Sequence, residues 1–190
     1  FRSSLEISKN FGKLIFENNY RKLFPSGRQL EIRLFAGKFL WYDYFKKDNF
    51  FDFNLNKVTD YLFQYNYLGR SEETGFYSQQ FIPAEGGFKS KFEQSNVNDF
   101  MISTNLYIGL WKWIEFYTDF GLVKNRYLKV KGYYDAGFRI NLVPDYLELF
   151  FPLASSNGFE ISQDNYNSKL RFKILLEPRT LTSLFTRKWF

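Results

Sequence analysis

The chain has 190 residues and no Cys or His, and 26 Lys and Arg against 20 Asp and Glu give a formal net charge of +6. The missing cysteines exclude disulfides and thiolate metal sites, and the missing histidines exclude the commonest zinc ligand, the commonest general base and Ser-His or Cys-His pairs. Aromatics make up 23% of the residues while mean hydropathy is only −0.38, and no apolar run reaches the length of about 18 residues that a transmembrane helix needs.

The chain begins Phe1-Arg2-Ser3, without Met or a signal peptide, which reads as a mature product or the C-terminal piece of something longer. "RSSLEIS" turns at Asn10-Phe11-Gly12 into "KLIFENNYRKLF", and Pro25-Ser26-Gly27 turns that into "RQLEIRLFAGKFL". In the last of these, Leu30, Ile32 and Leu34 oppose Glu31 and Arg33. After Lys46-Lys47-Asp48-Asn49 comes "DYLFQYNYLG", with Tyr61, Phe63, Tyr65 and Tyr67 on one face. Residues 70–98 have no clean period; parity of crossings predicts a further strand hidden in "YSQQFI" to "GGFKSKF". Gly86-Gly87 beside Lys89 and Lys91 lacks the spacing of a phosphate loop and reads as a turn or bulge.

From residue 100 the alternation is strict. Phe100, Ile102, Thr104, Leu106 and Ile108 oppose Met101, Ser103, Asn105 and Tyr107. Ile114, Phe116, Thr118, Phe120 and Leu122 oppose Glu115, Tyr117, Asp119 and Gly121. Tyr134, Ala136, Phe138, Ile140 and Leu142 oppose Tyr133, Asp135, Gly137, Arg139 and Asn141. The last alternating run, Lys169 to Leu176, sets Leu170, Phe172, Ile174 and Leu176 against Lys169, Arg171 and Lys173.

Strands of roughly ten residues match a tilted crossing of a bilayer better than the globular norm of about 5–6. Trp111-Lys112-Trp113 and Val143-Pro144-Asp145 are tight links, whereas 124–130 and 153–166 are longer and polar. Length, aromatic load and loop asymmetry together predict an all-β fold, an antiparallel transmembrane β-barrel of about 8–10 strands over residues 1–177. A tail, 178–190, follows as a short amphipathic piece or a terminal strand. A soluble aromatic-rich β-sandwich or barrel that binds an apolar ligand is the competing class.

In the barrel, Glu115, Asp119, Asp135, Arg139, Lys169, Arg171 and Lys173 are expected as lumen-facing structural charges. Trp111, Trp113, Trp189 and Phe190 are expected at the membrane interface. Glu115 and Asp119 suit either an acid–base dyad or a ladder of salt bridges that fixes register, and the ladder is the expected role. No catalytic residue, metal or cofactor is expected. Lys and Arg are spread along the chain, so no nucleic acid is expected either.

The stretches "YNYLGRSE", "AEGGFKSK", "WIEFYTDFGLVKN", "DAGFRINLVPDYLELFFPL" and "LFTRKWF" resemble the C-terminal outer-membrane barrel region attached to zinc-aminopeptidase-like (gluzincin-type) proteins of Bacteroidetes. The likeness covers roughly residues 59–190. It implies a bacterial outer-membrane location and a peptidase-like domain N-terminal to Phe1. Such a peptidase site needs a pair of His with a Glu, so no catalytic residue carries over. "GFRINLVPDYLELFFPL" also looks like the closing strands of outer-membrane assembly-factor barrels, with Gly137, Arg139, Glu148 and Pro152 in the matching places. The partners implied are the lipid bilayer with its lipopolysaccharide, the outer-membrane assembly machinery during biogenesis, and an envelope protein complex.

Overall fold

The structure, a computed structural model, describes residues 1–42, 52–56, 75–93, 96–143 and 146–175. Within these the protein is all-β. The strands are β1 (Arg2–Ile7), β2 (Phe11–Leu23), β3 (Gln29–Tyr42), β4 (Phe53–Asn54), β5 (Asn96–Val97) and β6 (Phe100–Gly109). They continue with β7 (Ile114–Lys124), β8 (Lys131–Val143), β9 (Leu147–Ser155), β10 (Gly158–Phe159) and β11 (Arg171–Ile174). Nine of them form one antiparallel sheet in the order β1-β2-β3-β6-β7-β8-β9, with β10 and β11 both paired to β9; β4 and β5 pair separately. Among the described residues this path is open, with β1 at one end and β10 and β11 at the other.

The alternation read from the sequence sets the register. Glu115 pairs with Arg139 and Asp119 with Asp135 across β7 and β8, and Asn105 pairs with Asp119 across β6 and β7. Register slips where β8 meets Pro152, opposite Gly137. A proline has no N–H to give a ladder, so within a sheet it is tolerated at such a bulge.

The turns at 24–28 and 110–113 and the link from Val143 to Tyr146 lie at one rim; β3 ends and β6 begins at the other. The long connections, 125–130 and 156–170, lie at that second rim.

β3 bonds directly to β6 over nine residue pairs, Leu30↔Ile108 to Lys38↔Phe100. The chain between them leaves from and returns to the second rim. This corrects the parity expectation. "YSQQFI" to "GGFKSKF" forms no hairpin; it is a 3-10 turn, Phe76–Gln79, followed by an extended segment that crosses one face of the sheet. Its residues pack there into a core of Phe35, Phe39, Phe53, Leu55, Phe88, Phe92, Val97, Met101 and Val123.

The last alternating run is also corrected. Asn165 takes a left-handed conformation, φ 59°, and starts a 3-10 turn over Tyr166–Lys169, so the strand is only Arg171–Ile174. Phe172, expected to face lipid, is buried beneath the stacked ring of Phe76, 4.7 Å away. The other edge of β11 receives Gln80 and Phe81, the latter donating its N–H to Phe172 O at 2.6 Å. The "DYLFQYNYLG" strand, Leu176 and the tail 178–190 lie outside the described residues.

The two faces differ in kind: one buries charges together with an aromatic core, and the other exposes apolar side chains. The face crossed by residues 80–92 carries buried Glu115, Asp119, Asp135, Arg139, Glu148 and Arg171. The opposite face, uncovered among the described residues except where Phe76 lies over Phe172, exposes Leu14, Phe16, Leu34, Ile102, Ile108, Ile114, Phe120, Leu122, Phe138 and Leu142. On this face the charges in β3 and β6–β9 are Lys38 and Lys124, both at the second rim.

Candidate functional site

The charges expected on the inner face gather around the segment that crosses it. Gly87 takes φ +71°, and a Cβ there would come within 2.6 Å of the Asn105 amide. Only glycine has both the backbone freedom and the slimness for that approach. Gly121 makes the matching space on β7, since a Cβ there would meet the Phe88 ring at 2.9 Å.

The approach brings Lys89 into the sheet. Its Nζ lies 2.9 and 2.8 Å from the two carboxylate oxygens of Asp119, and both side chains are fully buried. Four rings surround the ammonium, with centroids at 4.5 Å (Tyr107), 5.0 Å (Tyr117), 5.3 Å (Phe81) and 5.8 Å (Phe150). Ring faces attract a cation, more so when water is excluded. Asp135 binds the backbone of the same segment, accepting the N–H of Lys89 at 2.8 Å and of Ser90 at 2.7 Å. Asn105 donates to Asp119 at 2.8 Å and to Gly86 O at 3.0 Å. Arg33 donates to Asn105 at 3.0 Å and to Glu85 O at 2.8 Å.

A second cluster lies toward the tight-turn rim. Arg139 stacks on Tyr107 at 3.8 Å and donates through Nε to Glu115 at 2.6 Å. Its Nη groups reach Glu115, Glu148 at 3.4 Å and Glu31 at 3.3 Å. Lys173 bridges to Glu148 at 3.1 Å, Gln29 donates to Glu115 at 2.6 Å, and Arg21 pairs with Glu31 at 3.4 Å. Three glutamates are thereby matched by three cations.

Glu115 and Asp119, two pleats apart on β7, therefore take separate cations, Arg139 and Lys89. Neither is left poised as an acid or base toward the other. Arg171 reaches the crossing segment, donating to Lys89 O at 3.2 Å. Lys169 is on the 3-10 turn and not on the strand where it was expected, and it donates to Glu160 at 2.6 Å and to Gln163. Trp111 and Trp113 are exposed at the tight-turn rim, with Lys112 Nζ 5.4 Å from the Trp113 ring. Trp189 and Phe190 lie outside the described residues.

Lys89 was missed as the partner of Asp119. Its signal was one of two lysines between a Gly pair and Phe92 in a stretch without periodicity, which says nothing about what it will touch. Among the described residues no group of three or more carboxylates is placed to hold a metal ion, and no helix is long and apolar enough to cross a membrane. No family model, curated protein or solved structure matches this chain.

Outside the sheet, Glu160 is buried at the turn. Burial pushes its carboxyl up, but the Lys169 and Ser155 hydrogen bonds outweigh this and hold it below the ordinary value of 4.5. A depressed carboxyl stabilises the fold above its unfolded value, and that contribution is lost as pH falls through the folded value. Limited proteolysis of the 156–170 turn is therefore expected to accelerate as pH falls below the ordinary carboxyl value of 4.5 and through the lowered one. Glu160→Gln is expected to remove that pH dependence; an unchanged profile would place the sensitivity elsewhere.

Proposed function

We propose that the chain is a transmembrane β-barrel sheet of the bacterial outer membrane, stoppered by its own residues 80–92. In this reading it anchors a separate domain or envelope complex and neither catalyses nor conducts. The observation that carries the reading is an apolar, exposed face set against a face that buries charges. A soluble domain seldom exposes a continuous apolar patch above a few hundred Å², whereas here Phe, Leu and Ile are exposed across the uncovered face while charges are buried on the other. Lipid on one side and a polar, filled interior on the other is the arrangement of small membrane barrels. Trp111 and Trp113, exposed at the tight-turn rim, suit the headgroup level of a bilayer.

The anchor role follows from the filling. Phe88, Lys89 and Ser90 are buried where a pore would need open space. The attached domain is peptidase-like on the sequence resemblance. A second reading, an assembly-factor barrel, draws on the register that places Gly137 opposite Pro152 and on the Arg139–Glu148 pair.

The full chain is expected in the membrane fraction, extracted only by detergent, with a folded band that shifts on boiling. A monodisperse monomer in detergent-free buffer would overturn the bilayer reading. In planar bilayers the anchor is expected to pass no steady current, and sustained open-channel conductance would replace it with a pore. Depletion that stalls assembly of other outer-membrane proteins would favour the second reading.

A further inference from the structure

We propose that the cavity beneath the 156–170 turn binds a small ligand carrying an oxyanion, phosphate or carboxylate, on an apolar body. The cavity measures about 810 Å³, a volume in the range of about 300–1,000 Å³ typical of small-molecule sites. It lies beside the stopper and opens at the loop rim, and it does not depend on the bilayer reading.

The argument starts from a charge imbalance. Three cations are buried among the described residues: Lys89, Arg139 and Arg171. Lys89 has Asp119, and Arg139 has Glu115 and Glu148. Arg171, 7% exposed, has no carboxylate within 4.0 Å among the described residues. Its Nε donates to Lys89 O at 3.2 Å, and its Nη1 donates to Ser168 O at 2.9 Å and Leu170 O at 3.1 Å. Carbonyls satisfy hydrogens but leave the positive charge uncompensated, and a buried charge without a counter-ion is costly. The acid in the cavity wall, Glu160, acts on this charge only from beyond 4.0 Å and is itself paired with Lys169.

Arg171 lines the cavity, and among the described residues its Nη2 has no acceptor. Beside it, Ser90 lines the same space; its buried hydroxyl makes no hydrogen bond within 3.5 Å and only a weaker, longer one toward Glu160. A planar guanidinium and a hydroxyl form a donor set for an oxyanion, and charge-assisted bonds of this kind are the strong ones. The stacked rings of Phe76 and Phe172 form an apolar wall of the same cavity. That wall suits a ligand with an aromatic or aliphatic body better than a bare ion.

The test is titration calorimetry on the full chain in uncharged detergent, with inorganic phosphate, phenyl phosphate, benzoate and short-chain dihexanoyl phosphatidic acid as probes. Phenyl phosphate is expected to bind about tenfold tighter than inorganic phosphate, because Phe76 and Phe172 bury its ring. Arg171→Lys keeps the charge but loses the fork, and is expected to weaken phenyl phosphate about tenfold. Ser90→Ala, which removes only the hydroxyl, is expected to weaken it about threefold. If Arg171→Lys loses the heat-shifted folded band, Ser90→Ala and Phe76→Ala, the latter at an exposed ring, decide the matter.

Tighter binding of the phosphatidic acid than of phenyl phosphate assigns the site to a lipid headgroup; the reverse order assigns it to a free solute. Either supports the proposal. No binding of any probe to the folded protein, or affinities unchanged in the substituted proteins, overturns it.

Discussion

Lys89→Met is expected to destabilise the folded protein by about 3–5 kcal/mol, because it strands the fully buried Asp119 without its cation. The loss comprises the ion pair and the four surrounding ring contacts. Denaturant unfolding in micelles, followed by the folded gel band, measures it. Asp119→Leu alone is expected to cost a comparable amount, since it leaves the ammonium unpaired. The double substitution is the informative one. Buried ion pairs can be replaced by apolar groups at little net cost, so Lys89→Met with Asp119→Leu is expected to lose clearly less than the sum of the two. Strict additivity would mean that the pair is not coupled and that residues 80–92 are held by other contacts.

Phe120→Arg is expected to block insertion. Phe120 lies midway along β7 on the uncovered face and is 55% exposed. A cation on a lipid-facing strand costs about 2–4 kcal/mol at the midplane and close to nothing near the interface. Tyr127→Arg, on the exposed loop at the rim, is the matched control and is expected to insert normally. The readout is the fraction of chain recovered in membranes with a heat-shifted band. Equal recovery of the two proteins would mean that the uncovered face does not meet lipid. The site chosen matters. Phe172 looks like the better target in the sequence, but it is covered by Phe76, and an arginine there would report on packing and not on lipid.

That contrast marks where the sequence was readable. In residues 100–143 every other side chain belongs to one face, and a period of two leaves a strand few choices of register. The pairing of Glu115 with Arg139 follows directly. The sequence also contained the reason for the shortened last strand, but not visibly. Asn165 tolerates the left-handed conformation that folds Tyr166–Lys169 into a turn, and nothing in the alternation of Lys169 to Leu176 competes with it on paper. Residues 80–92 were the least legible. A segment that packs across a sheet is shaped by the side chains beneath it, so its hydrophobic order carries no period of its own. Gly87 and Gly121 are understood only together, as two sides of one close approach from distant parts of the chain.

The direct pairing of β3 with β6 has a topological consequence. The excursion that carries the stopper departs after Tyr42 and rejoins at Phe100, and both points lie at the same rim. Lys89 thus hangs on a loop with two ends fixed side by side, like a cork on a doubled string. Both ends of the excursion leave the sheet at that rim, so releasing Lys89 from Asp119 would break no β3–β6 ladder bond. The sheet can accordingly form first and receive the crossing segment afterwards, as two separable cooperative units. Losing the crossing segment need not mean losing the sheet.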